Sequence, residues 1–212
     1  MDMVENLKQN GIVPVIKIND AGKAVPLANA LIRGGLKVIE ITFRTEAAKE
    51  AIENVVRECP EMVVGAGTVL TIDNVNSAAQ AGAKFIVSPG LNPEVVKAAH
   101  DKGMFALPGV ITPTELDMGI RLGLDVFKFF PAENFGGINT ITALAAPFSG
   151  VKFVPTGGIS DRNIAPYFNS KVVLAVGGSW MAPHDLIEKN NFDEITRRTQ
   201  DAVVLYKSGK QM

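Results

Sequence analysis

The run "DVFKFFPAE", residues 125–133, sets a single lysine, Lys128, among Val126, Phe127, Phe129 and Phe130, just before Pro131. An ammonium group in so apolar a strand loses hydration, and desolvation disfavours the charged form. A neutral lysine attacks a carbonyl to form a Schiff base, and the protonated imine is an electron sink that lets a neighbouring C–C bond break. The plain alternative is a lysine whose stem covers apolar surface while its head reaches water. Glu40, in "VIEIT", is the one acid inside another apolar run. It is either half of a structural ion pair, with Lys128 as one partner for it, or the carboxyl that moves protons during imine formation and at the enamine carbon. Two diglycine turns, "PTGGIS" and "VGGSW", place Gly157, Gly158, Gly178 and Ser179 where backbone amides can approach an anion. Thr68 and Thr156 offer hydroxyls to a substrate carboxylate, with Arg44 as its counter-charge, or else serve as caps and turn residues. Lys17 reads as a solvated lysine or a further cation beside substrate.

These residues need a frame that brings them together. Eight short apolar runs recur: "GIVPVIKI", "KVIEITF", "MVVGAG", "KFIVSPG", "MFALPG", "DVFKFFP", "VKFVPTGG" and "VVLAVGG". Each is near-continuous in apolar residues, the pattern of a strand covered on both faces. Segments with helical spacing lie between them, as in "DAGKAVPLANALIRGG" and "TEAAKEAIENVVREC". Asp20, Thr45, Thr71, Asn92, Thr112 and Asp161 are candidate caps, and Gly34-Gly35, Gly82 and Gly103 are candidate stops. The segment "HDLIEKN" reads as a short connector before a closing helix, "FDEITRRTQDAVVLYKSG". Eight strands alternating with helices predict an α/β fold, a single-domain (β/α)8 TIM barrel over residues 1–212, with an open flavodoxin-like sheet as the runner-up. In such a barrel the active site lies at the C-terminal ends of the strands, where all the polar residues named above converge. The loops after strands 7 and 8 are the usual phosphate cradle of this fold, and "SWMAPHDLI" is a candidate for the short helix that completes it.

Composition narrows the chemistry. One cysteine, Cys59, rules out an internal disulfide and a cysteine-cluster zinc site, and fits a reducing cytoplasm. A net charge of −1 gives no basic field for nucleic acid or an anionic membrane. The opening "MDMVENLKQNG" has no continuous apolar core and reads as no signal peptide. No uncharged apolar stretch is long enough to span a bilayer. There is no P-loop, no GxGxxG after a strand and no HExxH, so the phosphate site suits a phosphorylated small molecule rather than a nucleotide. His100 and His184 fall in helical or connector segments away from the rim and read as surface residues. The expectation is catalysis without metal or cofactor.

The ordered set "GIVPVI", "IEITFRT", "VGAGTVL", "VSPGLNP", "ALPGVITPTEL", "FKFFPAE", "FVPTGGIS" and "VGGSW" resembles the class I 2-dehydro-3-deoxy-6-phosphogluconate (KDPG) aldolases. These often also act on 4-hydroxy-2-oxoglutarate (KHG). The resemblance runs to Ser179. It implies Lys128 as the Schiff-base lysine and Glu40 as general acid/base. It further implies Arg44, Thr68 and Thr156 around the pyruvate carboxylate and aldol oxygen, and Pro89 and Phe130 shaping the pocket. Gly157, Gly158, Gly178 and Ser179 are implied as phosphate ligands, and the assembly as a homotrimer that releases pyruvate and glyceraldehyde 3-phosphate. Phe43, Asn134, Phe135 and Lys17 depart from the pattern, and the last three bear on aldehyde preference and phosphate affinity. The rivals are the aldolase acting on the C4 epimer, 2-dehydro-3-deoxy-6-phosphogalactonate, a phosphate-binding isomerase or pyridoxal-phosphate barrel enzyme, and a non-catalytic sensor barrel.

Overall fold

Each apolar run forms a short parallel strand, and the computed structural model describes residues 2–209. In chain order the strands are β1 (Ile12–Ile16), β2 (Val38–Thr42), β3 (Val63–Gly67), β4 (Phe85–Ser88), β5 (Phe105–Val110), β6 (Val126–Phe129), β7 (Lys152–Pro155) and β8 (Val176–Gly178). Neighbours in sequence are neighbours in the sheet from β1 to β7, and β8 pairs with β1. The remaining seam closes through parallel bridges Phe153–Val173 and Thr156–Gly177. That wrap-around pairing sets aside the open sheet, in which β1 and β8 would not meet.

The helices are α1 (Met3–Asn10), α2 (Ala24–Gly34), α3 (Ala48–Glu58), α4 (Ile72–Gln80), α5 (Pro93–Asp101), α6 (Pro113–Arg121), α7 (Gly137–Ala145), α8 (Ala165–Phe168), α9 (His184–Glu188) and α10 (Phe192–Gly209). Thr71, Asn92 and Thr112 cap α4, α5 and α6 as expected, accepting from the backbone N–H groups of Asn74, Glu94 and Glu115. Asp20 caps the 3-10 turn Ala21–Lys23 that leads into α2. Two expectations fail. The Thr45 hydroxyl instead donates to the Ile18 carbonyl at 2.6 Å, tying the loop after β2 to the end of β1, and Ala47 is the residue before α3. No helix starts at Asp161, because the turn that follows runs on to Ile164 before α8.

The buried side chains divide into two layers. Between strands and helices lies the larger one, with α10 packed on α2 so closely that a Cβ on Gly34 would stand 2.3 Å from Thr199 Cβ. Inside the barrel lie Val13, Val38, Val63, Phe85, Val87, Leu107, Val126 and Val154. At Gly65 the strand β3 contributes room rather than bulk: the Phe85 ring occupies the space that a side chain there would fill. The bottom is closed by α1, which the sequence reading left as an unassigned start. Asp2 caps it, Gly11 ends it in the left-handed region, and Leu7 is fully buried in the interior cluster. With the lower barrel filled by apolar side chains, space for chemistry remains at the opposite, C-terminal end. Among the described residues no helix is long and apolar enough to cross a membrane.

Candidate active site

Strand alternation places the catalytic candidates. Val38 and Val126 face the barrel interior, so the residues two further along, Glu40 and Lys128, face it too, one layer higher. Both are buried, at 3% and 6% exposure, and Lys128 Nζ stands 3.8 Å from Glu40 Oε1. That gap is an ion pair too long for a hydrogen bond, and a reacting oxygen or a water can bridge the two groups from the side. Phe130 adds a wall, with Lys128 Nζ 4.9 Å from its ring centroid. Glu40 fits only because its β3 neighbour is a glycine: a Cβ on Gly67 would lie 2.1 Å from Oε1.

The same alternation puts Thr42 on the inner face one step above Glu40, and it is 1% exposed. Its hydroxyl donates to the Ile16 carbonyl at 2.8 Å and accepts from Arg44 Nε at 3.0 Å. The Arg44 guanidinium is thereby aimed from β2, and among the described residues it has no carboxylate partner. The sequence reading missed Thr42, although its spacing from Glu40 was the signal. Thr68, just after β3, has φ +56, a left-handed conformation rare for a threonine and of the kind that clusters at functional sites. Pro89 follows β4 and presses against β5, since a Cβ on Gly109 would meet its carbonyl oxygen at 2.0 Å. Gly109 is in turn the register partner of Lys128. Round the rim from β2 to β6, the expected residues therefore stand side by side.

The arc from β7 to β1 is built from backbone. Thr156, buried, pairs with Gly177 across the closing seam, where its hydroxyl fills the place of a side chain on Gly177. Gly157 and Gly158 have φ +104 and +78, values that favour glycine. Their carbonyl oxygens are taken, Gly157 by the Glu133 N–H at 3.1 Å and Gly158 by Asn163 Nδ2 at 3.0 Å. Among the described residues the Gly158 and Ile159 N–H groups donate to no protein atom. Two adjacent unsatisfied amides at a barrel rim are an anion site in waiting. Gly178 admits the Trp180 ring, and Ser179 is exposed beside it. Lys17, at the end of β1 next to β8, is exposed and has no ion-pair partner among the described residues. The helix expected after "VGGSW" begins only at His184, and Pro183 provides no side-chain cap. His184 is exposed as expected, yet it sits on the rim side, its Nε2 3.0 Å from the side chain of Asn19 in the loop after β1.

A buried amine beside a buried carboxyl can make an imine, and a guanidinium held by Thr42 with open amides on the rim suits an anionic keto acid. The family model for "KDPG and KHG aldolase" matches residues 3–198. The chain belongs to that family. It is an aldolase, a lyase, and this sets the isomerase, pyridoxal-phosphate and sensor readings aside. The "KHG/KDPG aldolase" of Escherichia coli K12 is 46% identical over 192 residues, covering 91% of this chain and 90% of that one. A KDPG aldolase structure from Legionella pneumophila, holding pyruvate as a covalent carbinolamine, superposes with a TM-score of 0.91 at 37% identity, covering 95% of this chain and 98% of that one. The Zymomonas mobilis ZM4 enzyme with 3-phosphoglycerate gives 0.90 at 41%, covering 96% of each.

Proposed function

We propose that this aldolase cleaves KDPG to pyruvate and glyceraldehyde 3-phosphate, and KHG to pyruvate and glyoxylate, with Lys128 as the imine-forming amine. The single observation behind this reading is the buried Lys128–Glu40 pair at 3.8 Å, facing the open end of the barrel. Nζ of Lys128, as the free amine, adds to the C2 ketone. Glu40 carries protons to and from the carbinolamine oxygen, which leaves as water. The C4 hydroxyl then gives up its proton to the Glu40 carboxylate, the C3–C4 bond breaks, and its electrons pass into the imine. An aldehyde departs and an enamine remains. Glu40 returns the proton to C3, and water hydrolyses the pyruvate imine. One carboxyl serves each step in turn, as general acid–base groups do.

Arg44 supplies the counter-charge for the substrate carboxylate, with the Thr68 and Thr156 hydroxyls orienting it and the aldol oxygen. Pro89 and Phe130 bound the space for the pyruvate methyl. The Gly157–Gly158 turn with its open amides, together with Gly178 and Ser179, receives the phosphate, and Lys17 adds positive charge on that side. A homotrimer, which the family resemblance implies, is the assembly proposed.

The decisive assay follows pyruvate release from KDPG, from its C4 epimer and from KHG. Turnover of KDPG well above the epimer supports the reading, and preference for the epimer overturns the substrate assignment. A further expectation concerns Thr42→Val, which keeps the shape but removes the acceptor for Arg44 Nε. KM is expected to rise roughly fivefold on both substrates, since both carry the carboxylate, with kcat changed less. Steady-state kinetics on KDPG and KHG check it.

A further inference from the structure

The turn that carries the open amides is held from below by residues that no catalytic step uses. Three successive carbonyls of that turn are occupied. The Thr156 oxygen accepts from the Ala132 N–H at 2.9 Å, Gly157 from the Glu133 N–H at 3.1 Å, and Gly158 from Asn163 Nδ2 at 3.0 Å. The Asn163 carboxamide also grips the far side of the loop, where its Oδ1 accepts from the Ser160 N–H at 2.7 Å. Asn163 is itself fixed by Glu133, whose Oε2 accepts from the same Nδ2 at 2.9 Å, while Oε1 accepts from the Tyr167 hydroxyl. Tyr167 is only 2% exposed. Burial and the hydrogen bond to Glu133 push its pKa well above the usual tyrosine range, so it stays a donor. Packing agrees with the hydrogen bonds: a Cβ on Gly158 would lie 2.7 Å from Glu133 Cβ, and one on Gly137 would lie 2.7 Å from the Tyr167 hydroxyl.

We infer that Glu133, Asn163 and Tyr167 form a positioning clamp that turns the Gly157–Gly158 and Gly158–Ile159 peptides outward and thereby sets the preference for phosphorylated over unphosphorylated substrate. The inference rests on the phosphate-cradle reading above. A peptide whose carbonyl is fixed on one side must present its N–H on the other, so the clamp, by holding the Gly157 and Gly158 carbonyls, preorganises the Gly158 and Ile159 N–H groups for an anion. It also disposes of an apparent conflict. A carboxylate near a phosphate should repel it, but both Glu133 oxygens are turned to Tyr167 and Asn163. Simple charge and clamping therefore give opposite signs for Glu133→Gln. Removing a negative charge would tighten phosphate binding. Loosening the clamp weakens it, because a glutamine cannot accept from both donors with both of its end atoms.

The experiment measures KM and kcat on KDPG and on KHG for the wild type, Glu133→Gln and Asn163→Ala, together with the competitive inhibition constant of inorganic phosphate against KHG cleavage. In both variants the KM for KDPG and the phosphate inhibition constant are expected to rise together, roughly tenfold, while kinetics on KHG stay within about twofold. Tyr167→Phe, which keeps the buried ring, is expected to shift the same two constants in the same direction by less. Equal losses on both substrates would mean a general structural role and overturn the clamp, as would unchanged or tighter phosphate inhibition in the variants. A wild type that phosphate does not inhibit and that does not prefer KDPG would overturn the cradle itself. That result is read before any variant is made.

Discussion

Lys128→Met is expected to abolish carbon–carbon cleavage and, with it, the adduct formed when the wild type is treated with pyruvate and borohydride. Methionine keeps an unbranched stem of similar reach against Phe130, so the wall of the site is preserved and only the amine is lost. Deleting a covalent nucleophile removes the whole imine route, and losses on the order of 10⁶-fold in kcat are the scale for such groups. The rival account of Lys128 is an ion pair that stabilises the barrel. Energetics argue against it. Replacing a buried pair by packed apolar groups is often neutral or stabilising, so a pair at 3% and 6% exposure needs a reason beyond stability. Peptide mapping of the reduced wild type separates the cases. A pyruvyl group on Lys128 alone, absent from the variant, is the expected result. An adduct on Lys17 or another lysine would reassign the nucleophile, and no adduct on a folded wild type would end the imine mechanism.

The barrel was legible in the sequence because parallel strands buried on both faces read as apolar runs, and eight such runs leave few architectures. What that pattern does not carry is the partner of each loop residue. Thr45 and Asp161 looked like caps on residue type, but Thr45 found the Ile18 carbonyl at the end of the neighbouring strand, and cap preference gave way to a tertiary hydrogen bond. The helix α1 carries a single fully buried residue, Leu7, and its amphipathic pattern is too short to stand out. It exists because the barrel floor needs a cover. The site divides in the same way. Lys128 and Glu40 were conspicuous because each breaks an apolar run. Asn163 and Tyr167 break nothing, being ordinary residues in a polar turn and a four-residue helix. Only the fold brings them to Glu133, thirty and more residues away in the chain.

Glu40→Gln is expected to lower kcat on both KDPG and KHG by about 10²–10⁴-fold, the range for loss of a general acid–base group. Imine formation should slow as well, because the same carboxyl carries the proton that lets the carbinolamine oxygen leave. Glutamine preserves size and keeps a polar atom beside Lys128, so a loss of this order cannot come from packing. The comparison of substrates sharpens the test. KHG lacks the phosphate, and an effect transmitted through the phosphate loops would spare it, whereas loss of the proton carrier must strike both. Gly67→Ala probes the same carboxyl without touching it. Its methyl would stand 2.1 Å from Glu40 Oε1, so the carboxyl must leave its present place beside Lys128. If proximity to Lys128 is what makes Glu40 effective, Gly67→Ala should reproduce most of the Glu40→Gln loss in a chain that still contains both residues. Stopped-flow measurement of imine formation, alongside steady-state kcat, decides the matter. Full activity in Glu40→Gln would return this carboxyl to the role of a structural counter-ion for Lys128.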